Sequence, residues 1–228
     1  MDDNNKLGMV LSEPINFQGL KIYPPTIVEI YNYNIQKFFE LLIPYSYSLE
    51  LLGIEETENF KLLDVFFHKE SLGLLAILIK SLGFFCKTED VEINENSILV
   101  GDFTVDRNNF DELSEFILSA NSKSKIKKEK EPIFKSERAK ESYRKLQEGR
   151  ARRQKQNELK LHDIINYVRY GGKYHISSYE IKNMTLFDLM NAYKIISHRE
   201  AYDSNFSVFL VSGEKQLVEK HWSQEIKI

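Results

Sequence analysis

Between Ser122 and Lys160 the apolar residues that a core requires all but stop, and fifteen Lys and Arg face six Glu. Such a stretch cannot bury enough apolar surface to fold on itself, so it marks a division between the parts of the chain that can. It carries a net charge of about +9 in a chain whose total is -3, which leaves about -12 for the remainder and makes the molecule strongly polarised. A length of 228 residues exceeds the common single-domain size of roughly 100 to 150, which fits a division into unequal parts. We therefore expect a mainly α protein with a small β hairpin (α+β), its two helical lobes joined by a basic linker helix. The boundaries are residues 1–121 for the N-terminal lobe, 122–160 for the linker and 161–228 for a small C-terminal lobe. Core material is ample, because 42% of residues are hydrophobic and 12% aromatic, unlike a disordered polymer.

In the N-terminal lobe, Asn16-Phe-Gln-Gly-Leu-Lys-Ile-Tyr-Pro-Pro-Thr reads as a strand pair turning at Gly19, closed by Pro24 and Pro25, which cannot donate to a ladder. Thr26 with Glu29 three residues on has capping-box spacing and predicts a helix running to Pro44 through Ile27, Ile30, Tyr31, Asn34 and Phe38. Further helices are predicted over Tyr45 to Leu52, Asn59 to His68 and Ser71 to Leu82. The last is apolar nearly all round, as a helix packed on several sides must be. Glu89 to Asp106 reads as two β runs around an Asn-Glu-Asn turn. Asp106 then caps a helix that places Phe110, Leu113, Phe116 and Ile117 on one face.

Within the basic stretch, a helix over Phe134 to Arg150 is capped at Ser136 and has only the thin apolar face of Ala139, Tyr143 and Leu146, so it is either solvated or in need of a partner. The last part reads as a short amphipathic helix from Leu161, then Thr185 and Asp188 starting a helix to Ile196, then another from Ala201 to Val211 ended by Gly213, with Trp222 as apolar anchor.

Chemistry-bearing patterns are sparse. The five histidines are scattered without HExxH spacing, and no GxSxG, Walker A or GxGxxG sequence occurs. His162-Asp163 and His198-Arg199-Glu200 set acid beside imidazole, but adjacent helix positions point apart. The single cysteine, Cys86, lies in an apolar run, which suits a buried inert thiol in a reducing compartment. No enzyme activity, metal or cofactor is expected. The opening Met1-Asp-Asp-Asn-Asn-Lys lacks the features of a signal peptide, and the most apolar run, from Leu72, reaches only to Ile79 before Lys80, far short of the roughly twenty residues that cross a bilayer. A cytoplasmic location without membrane contact is expected. Of the tyrosines crowding the first lobe, Tyr23, Tyr31, Tyr33, Tyr45 and Tyr47, the core is the expected place, with an interface the alternative.

One further pattern bears on function. The hairpin is followed by Thr104-Val-Asp-Arg-Asn-Asn-Phe-Asp-Glu-Leu, the basic helix with Ser136-Glu-Arg-Ala-Lys-Glu and Gln147-Glu-Gly-Arg-Ala-Arg-Arg, Met184-Thr-Leu-Phe-Asp-Leu-Met-Asn-Ala-Tyr, and a closing His221-Trp222. In this order the sequence resembles, over most of residues 16 to 228, a group of proteins from phages and prophages of Gram-positive hosts. Their genes typically lie just before the tape-measure gene, and proteins at that position are regarded as tail assembly chaperones. The resemblance implies a non-catalytic chaperone-like protein that binds the tape-measure protein or another tail protein, and it transfers no catalytic residue. Partner contacts are expected at Tyr143, Arg150, Arg152 and Arg153 of the basic helix and at Leu186, Leu189 and Trp222 of the C-terminal lobe, with self-association a further option. The alternatives are a tail or baseplate subunit retained in the virion, and a nucleic-acid-binding regulator using Lys125, Lys127, Lys128 and the same arginines. Nucleic acid is the less expected partner, because the basic run carries one aromatic, Tyr143, apart from Phe134 at its start, and the whole chain is acidic.

Overall fold

The computed structural model describes residues 2–54, 60–68, 71–126, 136–156, 159–172, 175–212, 221 and 223, and of residues 72, 139 and 151–156 the backbone alone. The architecture is mainly helical with two small antiparallel sheets, as the sequence leads one to expect.

The chain opens with α1 (Asp3–Val10), which the polar sequence does not advertise. Asp2 caps it by accepting from Asn5 N, and the Asn5 side chain both donates to Asn16 O and accepts from Asn16 N, which ties the helix to the next strand. That strand, β1 (Ile15–Phe17), pairs with β2 (Leu20–Ile22) through a two-residue turn, Gln18 and Gly19, both at positive φ (50° and 100°). A mirror-image turn of this kind matches the twist of two directly joined strands, and glycine enters it without strain. The register sets Ile15 against Ile22 and Phe17 against Leu20, so all four face the core.

Thr26 and Glu29 form the expected capping box at the start of α2 (Ile27–Tyr33), but the helix does not reach Pro44. Asn34 adopts φ 82°, a conformation that asparagine tolerates better than most residues. It ends α2 and caps α3 (Ile35–Leu41) by accepting from Gln36 N and Lys37 N. Then follow α4 (Ile43–Ser46), α5 (Leu49–Leu52), α6 (Leu62–Phe66) and α7 (Leu72–Cys86). Helix α7 is the apolar helix of the sequence, one turn longer than expected, and it packs on α3, α4, α6 and β2. A Cβ at Gly83 would stand 3.0 Å from the Thr88 carbonyl, so this glycine lets the chain double back towards β3 (Val91–Asn94). The second β run is broken at Gly101 and Asp102 into β4 (Ser97–Val100) and β5 (Phe103–Val105), giving a three-stranded meander rather than a hairpin. Asp106 then accepts from Asn108 N and Asn109 N ahead of α8 (Phe110–Ala120), whose Phe110, Leu113, Phe116 and Ile117 are all buried.

Helix α9 (Glu137–Gln156) is the basic helix, and it runs six residues beyond Arg150, where its sequence signal ends. It is followed by α10 (Leu161–Tyr170), the short α11 (Ser178–Asn183) and α12 (Leu186–Ser212). Where two helices are expected after Thr185, there is one of 27 residues, because no Gly or Pro stands between them to stop the first. Gly213, expected to end it, lies outside the described residues.

The segment set apart as a C-terminal lobe packs on the N-terminal elements: α12 on α1 and α8, and α11 on α2. One apolar cluster runs from Met9 through Phe17, Phe38 and Phe85 to Leu189 and Ile196. At its centre Ser81 Oγ donates to Leu41 O and hydrogen-bonds the Tyr45 hydroxyl, both at 2.9 Å. Burying each large apolar side chain stabilises by about 1.5–3 kcal/mol relative to exposure.

Candidate protein-binding groove

Helices α2 and α11 are joined through a main-chain junction. Ile27 N donates to Met184 O at 2.9 Å, Leu186 N donates to Pro25 O at 3.3 Å, and Thr26 and Thr185 form an isolated antiparallel bridge. The Thr185 and Asp188 side chains complete the capping box expected of them, and Ser12 Oγ also donates to Asp188 Oδ2. On the other side of α2, Glu29 takes a 2.7 Å hydrogen bond from Lys87 Nζ. Burial pushes the Glu29 carboxyl up, yet the bonds from Lys87 and Thr26 outweigh it and hold the group below the ordinary range. The relation between α2 and α11 is therefore fixed by backbone and not only by side-chain packing.

Between these two helices and α10 lies an open groove of about 400 Å³. From α2 come Ile27, Val28 and Tyr31, from α10 Ile165 and Arg169, and from α11 Ser178, Ile181 and Lys182. The floor is apolar, Tyr31 stands 78% exposed at the edge, and the charged residues on the walls are both cations. The Arg169 guanidinium sits 5.0 Å from the centre of the Tyr170 ring, and its Nε is buried without a hydrogen-bond partner among the described residues. Among the described residues neither Arg169 nor Lys182 takes part in an ion pair.

A second uncovered apolar surface is the far end of α12. Residues 204 to 212 hold no charge, and Phe206, Val208, Leu210 and Val211 are exposed, Val211 to 86%. Contiguous apolar surface of this kind is characteristic of sites that meet other molecules.

The expected partner residues fall in different places. Tyr143 is half-buried on α9, where Gln147 Nε2 donates to its hydroxyl at 2.7 Å, and Arg150 is exposed further along the same helix. Arg152 and Arg153 continue α9, but their side chains, like Trp222 as a whole, lie outside the described residues. Leu186 and Leu189 are 3% and 0% exposed and belong to the core, so they hold α12 in place and present no contact surface. They alternate with the capping residues at the junction, and that position buries them. Of the crowded tyrosines, Tyr45 is core, Tyr33 and Tyr47 pack against it, and Tyr31 is on the groove. Sequence reasoning missed Val28, Arg169 and Lys182. Ile165 and Arg169, one turn apart on an amphipathic helix, were a faint signal.

Other reactive groups are quiet. Burial pushes the Cys86 thiol up to about 12, as an inert cysteine in an apolar run should behave. His162 Nε2 does approach Asp163 Oδ1 at 3.4 Å, contrary to the expectation that neighbours point apart, but both are exposed and Asp163 also caps α10 through Lys160 N. Among the described residues no three His, Cys, Asp or Glu gather as metal ligands would, and no helix is long and apolar enough to cross a membrane. Comparison with family models, curated proteins and solved structures finds no match for this chain.

Proposed function

We propose that this chain is a non-catalytic, protein-binding assembly factor that works in the host cytoplasm as a tail assembly chaperone, its client the tape-measure protein. The observation that carries the reading is the groove of α2, α10 and α11, an uncovered apolar floor on a rigid backbone junction. A long helical client presents apolar stripes that must be shielded until its partners arrive, and a groove receives such a stripe through residues spaced one turn apart. The uncharged end of α12 adds a second apolar surface for the same client. Binding is stoichiometric: client apolar surface is covered, then released when tail-tube subunits displace it. The identity of the client comes from the resemblance of residues 16 to 228 to proteins encoded beside tape-measure genes.

The test is co-purification of the tagged chain with the product of the adjacent large helical gene, at low and high salt. A complex that persists at high salt is the expected result, since apolar burial is not screened. Absence of a complex at either salt, with the chain present in purified virions instead, would replace the chaperone by a structural tail subunit.

A further inference from the structure

We infer that the groove of α2, α10 and α11 selects an acidic client segment: an amphipathic helix whose apolar stripe carries a carboxylate that pairs with Arg169. The inference rests on the protein-binding reading above and adds the chemistry of the partner. The Arg169 guanidinium carbon lies 5.0 Å from the centre of the Tyr170 ring, a cation–π contact that takes up none of its N–H donors. Those donors form the fork that matches a carboxylate in two parallel bonds, and Nε is one of its two prongs. Nε is sealed from solvent and, among the described residues, donates to nothing, an arrangement that buried donors rarely keep. A small rotation of the side chain towards the groove, with a carboxylate waiting there, relieves it. Lys182 on the opposite wall adds a second positive charge, and no acidic residue lines the groove to compete. The floor of Ile27, Val28, Ile165 and Ile181 offers nothing to a sugar or a base edge, so the anion it suits is one attached to apolar neighbours, as on a helix.

The experiment uses the whole chain and two synthetic helix-forming peptides with the same leucine stripe, one bearing a central Glu beside the stripe and the other Gln. Binding is followed by fluorescence anisotropy, with a single-stranded oligonucleotide as a third probe. The Glu peptide should bind about tenfold more tightly than the Gln peptide, the scale of a charge-assisted pair in a partly desolvated site. Arg169→Gln should bring the two peptides within about twofold of one another, the Glu peptide losing its advantage. Because Lys182 is exposed, Lys182→Gln tests the same charge preference without risk to folding, and it should lower the Glu peptide's advantage only in part. Equal affinity for the two peptides, no binding of either, or displacement of the Glu peptide by the oligonucleotide would each overturn the acidic-helix assignment. The co-purification described above is separate: a complex there with equal peptides here would leave the chaperone reading standing and remove only the carboxylate.

Discussion

Thr26 and Thr185, each the N-cap of its own helix, pair with one another across an antiparallel bridge, so that the first free N–H of each helix is taken up by the chain leading into the other. Helix ends ordinarily leave such groups to solvent or to side chains. Here two ends satisfy each other, and the groove between α2 and α11 takes its shape from that junction.

Leu189, fully buried on the first turns of α12, should report on this junction through stability and not through client contact. Leu189→Ala is expected to cost about 2–5 kcal/mol by the lost burial and the cavity left behind. Urea denaturation followed by circular dichroism measures it, and client binding at a temperature where the variant stays folded should be unchanged.

Glu29 links the capping box of α2 to Lys87, and its carboxyl is held below its usual value of 4.5. A depressed carboxyl contributes stability that is complete above the unfolded value and is lost as pH falls through the folded one. Glu29→Gln should therefore lower the denaturation midpoint near neutral pH, and the gap to the parent chain should narrow as pH drops below 4.5. A gap that stays constant down to acid pH would show that the ionised carboxylate adds nothing over its amide.

The arginines of α9 should matter little. Arg150 is exposed, and other cations of the helix are already answered along it, as in the Lys145–Glu141 and Arg144–Glu148 pairs. Reversing charge with Arg150→Glu, Arg152→Glu and Arg153→Glu together is expected to lower client co-purification only modestly, by about threefold, which corresponds to about 0.2 kcal/mol at each of the three positions, the low end for exposed charges. Loss of the complex altogether would move the binding surface from the groove to α9.

The parts of the fold legible in the sequence are those with a local cause. The Gly19 turn, the Thr26–Glu29 and Thr185–Asp188 boxes and the all-round apolar α7 each follow from residues within a few positions of one another. Helix α1 was not legible because its stability comes from Asp2 and Asn5 hydrogen bonds and from Met9 packing on a core made elsewhere. The break at Asn34 was hidden because a helix-compatible apolar rhythm continues across it. The groove escaped for a different reason: Val28 and Arg169 acquire a shared role only when distant segments meet, and neither stands in a pattern that marks a site by itself.

The basic region leaves and re-enters a single packed body. At its start, Lys123 N donates to Leu118 O and Ile126 N to Ser46 O; after it, α10 lies against α12 and α11. With both stems anchored, the core draws nothing from α9, none of whose described side chains is buried. Residues could be added to or removed from it at small cost to the core, so its length and charge are free to follow the needs of whatever it meets in the cell, while the groove stays as it is.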